Sequence, residues 1–227
     1  MSADLVLFDM DGTLLDSGNI IIGAQERTAS ALGLVHPGRE AGFGVVGLSL
    51  DLALSQLFGD EVPAAEMSDV YKRIFNGMRG TPGFEEPLFE GVPEILTHLS
   101  SWQDVKLGIA TGKTKRGLDY VVEMYGWHDV FATLQTADNA PSKPDPGMIH
   151  QANAETMTAA RRTVMIGDSV HDMRMAKAAG AAAIAVSWGF QPAPLLVAAG
   201  ADMVADTVAD LPAMIAECLR RNLAPAG

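Results

Sequence analysis

Apolar, β-branched-rich runs recur along the chain at 5–8, Val105 to Ala110, Thr163 to Ile166 and Ala182 to Val186, with weaker ones around Phe131 to Gln135 and at Met203-Val204. Short continuous runs of this kind predict strands covered on both faces, as in a parallel sheet. Between them stand helix-length segments at about 92–101, 114–125, 146–159, 170–179, 192–199 and 207–222. Pro93, Pro146 and Pro212 sit where first-turn prolines start helices, and Gly126 and Gly180 where glycine ends them. Strands alternating with helices predict an α/β fold, a doubly wound parallel sheet.

Residues 18–80 break this rhythm. They show no convincing strand and predict helices near 19–33, 49–58 and 63–78, with Gly and Pro between them. The segment Gly80-Thr81-Pro82-Gly83 reads as a hinge back to the sheet. The expected organisation is an α/β domain from 1–15 and 82–227, with an all-helical insert at 16–81. Leu223 to Gly227 reads as a frayed tail.

Polar chemistry collects where the apolar runs end. Leu5-Val6-Leu7-Phe8 leads straight into Asp9-Met10-Asp11-Gly12-Thr13. Strand alternation would aim Asp9 and Asp11 the same way, and Gly12 permits an abrupt turn after them. Two carboxylates crowded at a strand end repel, so one must be protonated or a cation must sit between them. Metal binding, nucleophile-plus-acid chemistry and an ordinary Asp-Gly turn all fit this stretch alone.

Other strand ends narrow the choice. The run at 106–110 ends at Thr111-Gly112, and the run at 163–166 ends at Gly167-Asp168-Ser169, with Asp172 four residues beyond Asp168. Ser142-Lys143-Pro144-Asp145-Pro146 places a lysine in a proline-locked loop before a helix. Singly, these read as a turn, a helix cap and a solvated loop. In an open parallel sheet such ends share one edge, so Asp9, Asp11, Thr111, Lys143, Asp168 and Asp172 are expected to converge. Together they supply what a phosphoryl group needs: a nucleophile, cation ligands, a fixed positive charge and hydroxyl or amide donors. Mg²⁺ suits carboxylates plus a substrate phosphate, because it prefers oxygen ligands and keeps several waters.

Composition sharpens the partner class. Of 227 residues, 28 are acidic and 16 basic, a formal net charge of -12 that disfavours nucleic acid and anionic membranes. The 48% hydrophobic content provides for a substantial core. The single cysteine, Cys218, cannot form an internal disulfide, which suits a reducing cytoplasm. Neither a signal segment nor an apolar run of membrane-spanning length is evident.

With these motifs assembled, the chain resembles the haloacid dehalogenase-like hydrolases, in particular a phosphoglycolate-phosphatase-like branch with a small helical cap after the first strand. The resemblance rests on Asp9-Met10-Asp11-Gly12-Thr13-Leu14, on Thr111, on Lys143 in Lys-Pro-Asp-Pro, and on Gly167-Asp168 with Asp172. It covers essentially the whole chain. It implies a Rossmann-like core, Asp9 as the nucleophile that forms an aspartyl-phosphate, and Asp11 as general acid and then base. It also implies Mg²⁺ held by Asp9, the Asp11 backbone carbonyl and Asp168, with Asp172 supporting them from behind. Thr111, Lys143 and the backbone amides of Asp11 and Gly112 would hold the phosphoryl oxygens. Asp9 is expected to be ionised at neutral pH. The implied activity is a Mg²⁺-dependent phosphatase for a small phosphorylated metabolite such as 2-phosphoglycolate, working as a monomer or homodimer.

Three alternatives share parts of this inventory. A phosphosugar mutase of the same superfamily would use Asp9 and Asp11 but need a bisphosphate activator. A haloacid dehalogenase has no use for the second carboxylate, Asp11. A receiver-like phosphoacceptor places its aspartate on a later strand and lacks a helical insert.

A few signals point elsewhere or both ways. Gly42-Phe43-Gly44-Val45-Val46-Gly47 matches G-x-G-x-x-G, yet no strand precedes it; a flexible cap loop facing the substrate is expected instead. Residues 108–114 resemble a phosphate loop one residue short. Lys113 fits either a substrate contact or a solvated lysine at a helix start. His171 is expected at the surface or behind the site, and Lys115 and Arg116 at the surface.

Overall fold

Six strands form a single parallel sheet in the computed structural model, which describes residues 3–81 and 84–223. They are β1 (Asp4–Phe8), β2 (Val105–Thr111), β3 (Thr133–Thr136), β4 (Thr163–Gly167), β5 (Ala182–Val186) and β6 (Met203–Ala205). Their order across the sheet is β3-β2-β1-β4-β5-β6. β1 therefore lies in the middle, with Phe8 opposite Ile109 of β2 on one side and Ile166 of β4 on the other. At β1 the strand order reverses direction, and a crevice opens beyond the carboxyl ends of the strands.

Four helices follow β1: α1 (Gly18–Leu32), α2 (Arg39–Gly44), α3 (Leu50–Phe58) and α4 (Ala64–Arg79). Six more alternate with the later strands: α5 (Val92–Ser100), α6 (Lys115–Tyr125), α7 (Gly147–Thr156), α8 (Val170–Ala179), α9 (Ala193–Ala198) and α10 (Leu211–Leu223). Strand alternation divides the core in two. Val6 and Phe8 pack with Leu99 of α5, Leu118 of α6 and Ile215 of α10, whereas Leu5 and Leu7 pack with Ile149 of α7, Ala176 of α8 and Leu196 of α9. Each fully buried Leu, Ile or Phe of this kind contributes about 1.5–3 kcal/mol. The sheet is thereby sealed on both faces, as its apolar runs require.

Between β1 and α5 the helices stack mainly on each other, α4 lying against both α1 and α3. A small core of Val45, Leu48, Ala53 and Leu57 holds this unit together. It also touches the sheet layer. Phe43 stacks on Phe190 with ring centroids 4.8 Å apart, and the Ser49 amide donates to Ser142 Oγ at 2.8 Å.

The expected elements shift in places for local reasons. The segment 42–47 is not a flexible loop: Gly42 and Gly44 lie inside α2, and only 45–47 form the turn beyond it. α7 stops at Thr156 rather than 159, because Met157 takes a left-handed conformation, and a 3-10 turn at Ala160–Arg162 follows. α10 begins at Leu211 rather than 207. Val208–Asp210 form a 3-10 turn first, fastened by reciprocal hydrogen bonds between Thr207 and Asp210. Gly126 and Gly180 end α6 and α8 in the left-handed conformation, as their positions predict. Pro82 and Gly83 of the expected hinge, and 224–227 of the expected tail, lie outside the described residues. Among the described residues, no helix is long and apolar enough to cross a membrane.

Candidate active site

Asp9 sits one residue past the end of β1, with its amide tied to the Ile166 carbonyl of β4 at 2.9 Å. Its side chain is 1% exposed and meets the carboxylates of Asp168 and Asp172, one oxygen of each lying within 4.8 Å of the others. Asp168 follows β4 directly and Asp172 lies in the first turn of α8, so the sheet register brings all three to one edge.

Lys143 reaches this cluster from the loop after β3. It is completely buried, with Nζ 2.6 Å from Oδ1 of Asp172 and 2.9 Å from Oδ1 of Asp9. Asp172 is held from the other side, its Oδ2 accepting from Ser169 Oγ at 2.6 Å and from the Ser169 amide at 3.2 Å. Asp168 accepts from Thr13 Oγ1 at 3.2 Å and from the Phe190 amide at 2.8 Å. Asp9 differs from both. Apart from the ion pair with Lys143, neither of its oxygens accepts a hydrogen bond among the described residues.

Electrostatics follow from this crowding. Burial pushes the Asp9 carboxyl up to about 7 in spite of the Lys143 ammonium, and the charges of Asp172 and Asp11 add to the rise. Burial and the neighbouring Asp9 and Asp172 charges likewise hold Asp168 well above the ordinary carboxylate range. Burial works against the Lys143 charge, but the Asp172 and Asp9 carboxylates outweigh it and keep the ammonium protonated. Without a further positive charge Asp9 is poised between its forms at neutral pH, so the ionised form expected of it calls for one. Oδ2 of Asp9, which accepts no hydrogen bond among the described residues, lies beside the Asp168 carboxylate and fits a hard divalent cation, which prefers oxygen donors. Asp172, with both oxygens already engaged, serves Lys143 and the helix cap.

Asp11 turns another way. Its Oδ1 accepts from Ser17 Oγ at 2.6 Å and lies 2.9 Å from Nζ of Lys113. Gly12, with φ of 84°, turns the chain directly after Asp11; a Cβ there would collide with the Asp168 carboxylate. Thr111 ends β2 almost fully buried, and its Oγ1 accepts from the Lys113 amide at 3.2 Å. Gly112 lies so close to the carbonyls of Gly47 and Leu48 that no side chain would fit there.

Lys113 is no solvated lysine. Its Nζ bridges Asp11 and the fully buried Glu86, 3.1 Å away, and Glu86 in turn receives Arg79 Nη2 at 2.7 Å and Nε at 3.0 Å. The Arg79 guanidinium lies over Tyr120 and Phe75, at 4.1 and 4.9 Å from the ring centroids. Of the two expected placements for His171, the buried one behind the site is observed: it is 8% exposed, with Nε2 3.1 Å from the Gly44 carbonyl. Burial lowers its pKa. Lys115 is exposed and pairs with Asp119, whereas Arg116, also exposed, stands at the mouth of a cavity.

That cavity, about 390 Å³, has Asp9, Asp11, Thr111 and Lys113 on its floor and α1, α3, α4 and the 45–48 turn above. Val45, Val46 and Gly47 line it, but Gly42 and Gly44 do not. Ser17, Glu86, Arg79 and the Phe190 amide carried no legible sequence signal as single residues. Phe190 alone lay within reach of a rule, since it follows β5, whose carboxyl end neighbours that of β4.

Comparison with known proteins names the scaffold. Residues 6–186 match the family model described as haloacid dehalogenase-like hydrolase. The chain belongs to the haloacid dehalogenase-like hydrolase family. It is 33% identical over 214 residues to a protein of Dickeya dadantii named probable phosphatase IndB, covering 91% of each chain. It is 29% identical over 232 residues to a phosphoglycolate phosphatase of Agrobacterium fabrum, covering 98% of this chain and 97% of the relative. Among solved structures, a haloacid dehalogenase-like family hydrolase of Streptococcus pneumoniae superimposes with a TM-score of 0.79 at 26% identity, over 93% of this chain and 98% of the other. The parallel α/β core of this chain is therefore that of the family.

Proposed function

We propose that this haloacid dehalogenase-like hydrolase is a Mg²⁺-dependent phosphatase that hydrolyses a small phosphorylated metabolite through a phosphoenzyme at Asp9. The observation that carries the reading is Asp9 itself: a buried carboxylate at the floor of the cavity, with Oδ1 against the Lys143 ammonium and Oδ2 accepting no hydrogen bond among the described residues. The phosphatase names of the Dickeya dadantii and Agrobacterium fabrum relatives support the same class.

Asp9, the Asp11 backbone carbonyl and Asp168 would hold the cation. When bound, Mg²⁺ supplies positive charge that favours ionised Asp9 and offsets the phosphoryl charge. The Asp9 carboxylate then attacks phosphorus, and the bond from phosphorus to the leaving alcohol oxygen breaks. Asp11 donates its proton to that oxygen. With the alcohol gone, the Asp11 carboxylate takes a proton from water, and the oxygen so activated attacks the acyl phosphate, releasing phosphate and restoring Asp9. Lys143, Thr111 and the amides of Asp11 and Gly112 hold the phosphoryl oxygens, in a cleft where fixed donors need no reorganisation. Residues 16–81 act as the cap that covers the cleft and selects the alcohol.

Phosphate release from a panel of phosphate monoesters, with Mg²⁺ and after chelation, tests this reading. Wild type should turn over at least one ester only with the cation, and Asp9→Asn should turn over none. Turnover by a folded Asp9→Asn variant would remove Asp9 as the nucleophile.

A further inference from the structure

Resting on the phosphatase reading, we propose that the substrate is the phosphate ester of an alcohol with a compact apolar body, alkyl or aryl, rather than of a hydroxy acid or a sugar. The cavity walls carry the argument. Above the polar floor, the alcohol side is built from Ile21, Val45, Leu50, Leu54 and Phe75, side chains that offer no hydrogen bond. Its volume of about 390 Å³ falls in the range of clefts that enclose organic ligands, and is generous for a two-carbon acid.

A substrate carboxylate would need a cation near the floor that is not already spoken for. Lys113 and Arg79, the cations that reach inside, are paired through Glu86, and Lys113 is paired again with Asp11. Drawing either away would leave the buried Glu86 carboxylate with one cation where it now has two. Lys72 and Arg116 also line the cavity, but both are exposed, where water and salt screen their attraction.

Sugar hydroxyls fare no better. Gln25 lines the cavity, but its Nε2 donates to the Gly42 carbonyl at 3.2 Å and its Oε1 lies 3.1 Å from the His36 ring. Asn76 and Asp138 line it from exposed positions, which leaves the Tyr71 and Thr114 hydroxyls as the remaining polar contacts on the walls. A sugar held against the five apolar side chains would lose hydrogen bonds to water and regain few. An apolar body loses nothing there and removes both its own surface and the cavity's from water.

The test compares esters of primary alcohols, so that leaving-group chemistry stays similar: benzyl phosphate and n-hexyl phosphate against 2-phosphoglycolate and glucose 6-phosphate, all with Mg²⁺. The kcat/KM for the apolar pair should exceed that for the polar pair by about tenfold or more, in line with what apolar pocket contacts discriminate. Binding is measured alongside by calorimetry with benzylphosphonate and phosphonoacetate, which cannot be hydrolysed, and benzylphosphonate should bind the tighter. Leu50→Arg, at a partly exposed wall position, should shift the ratio toward 2-phosphoglycolate by about tenfold or more. Equal or reversed preference in wild type, in hydrolysis or in binding, overturns the apolar assignment while leaving the phosphatase reading intact. Tighter binding of benzylphosphonate with no ester hydrolysed would support the apolar cavity and reject the phosphatase reading instead.

Discussion

The Lys143 ammonium lies 2.9 Å from Oδ1 of Asp9, and both side chains are almost wholly withdrawn from water. At such burial the pair stands or falls together. Lys143→Ala would leave Asp9, Asp168 and Asp172 facing one another without their shared countercharge. Breaking a buried pair by removing one partner typically costs about 3–5 kcal/mol, so the metal-free variant should melt well below wild type. Among molecules that remain folded, kcat should fall by about 10²-fold or more, the scale for losing one fixed electrostatic contact to the reacting group. Thermal denaturation and steady-state kinetics measure the two effects separately. Near-wild-type kcat/KM would show that Lys143 has no part in holding the phosphoryl group.

The raised Asp9 pKa gives the metal-free protein a definite pH dependence. In the unfolded chain the carboxyl loses its proton near its ordinary value, whereas in the folded chain it holds it up to about 7. The folded state therefore binds more protons across that window, and its stability falls as pH rises from about 4 to about 7, then levels. Asp168, shifted in the same direction, steepens the trend. Mg²⁺ binds the ionised forms, so its stabilising effect should be greater near pH 8 than near pH 5, about one unit above and two below the Asp9 midpoint. Melting curves with Mg²⁺ and with chelator at both values give the comparison. A cation effect that is the same at both would separate Asp9 from the cation site.

Asp9 and Asp11 should fail differently. Asp9→Asn removes the nucleophile and should abolish turnover. Asp11→Asn keeps it, and esters with good leaving groups need little proton donation. Phosphate should therefore transfer to the variant but leave slowly, so that phosphoenzyme accumulates. Mass spectrometry of the trapped protein locates the phosphate; finding it on residue 11 in the wild-type enzyme would reverse the two roles.

Glu86 is the residue whose importance only the fold reveals. It is fully buried and joins Arg79, at the end of α4, to Lys113, which touches Asp11. Glu86→Gln keeps the shape and leaves two cations facing a neutral amide. A stability loss of about 3–5 kcal/mol is expected, on the scale for a broken buried pair. Activity should fall as well, because Lys113 loses the anchor that places it beside Asp11. Chemical denaturation and kinetics on the same preparation check both; an unchanged midpoint would mean that the cluster contributes no more than a surface pair.

How far the sequence led depended on whether a signal was local. The four central strands announced themselves, because they are buried on both faces and apolar almost throughout, whereas β3, Thr-Leu-Gln-Thr, and the three-residue β6 at the sheet edges gave weaker signals. Asp9, Thr111, Lys143, Asp168 and Asp172 could be gathered because they stand at or near strand ends, and a parallel sheet puts those ends on one edge. Glu86 and Arg79 gave no such sign. Their meaning comes from a meeting with Lys113 that depends on how α4 leans on the sheet layer. α2 was missed because glycines at 42 and 44 weaken a helix that tertiary contacts nevertheless hold, Gly42 lying close against the ends of the Gln25 and Ile22 side chains. For His171 the sequence left two placements open, at the surface or behind the site, and helical spacing alone could not show that the Gly44 carbonyl meets it there.

Gly44, the last residue of α2, and Gly47, in the turn after it, provide a paired test of the cap. Gly47 has φ of 95°, a conformation that side chains rarely adopt, and a Cβ there would lie 3.2 Å from Ser169 Oγ and 4.0 Å from Asp9 Oδ2. Gly47→Val should thus strain the turn and push into the space above Asp9, reducing kcat/KM and altering its ratio across a substrate panel. Gly44 faces no atom within 4 Å of where its Cβ would be, and it ends a helix that alanine favours. Gly44→Ala should leave the substrate ratios as they are and raise stability by up to about 1 kcal/mol. The Gly44 carbonyl that meets His171 belongs to the backbone and survives the change. If both variants shift the panel alike, the turn acts through general loosening of the cap; a shift confined to Gly47→Val assigns it to the wall above the nucleophile.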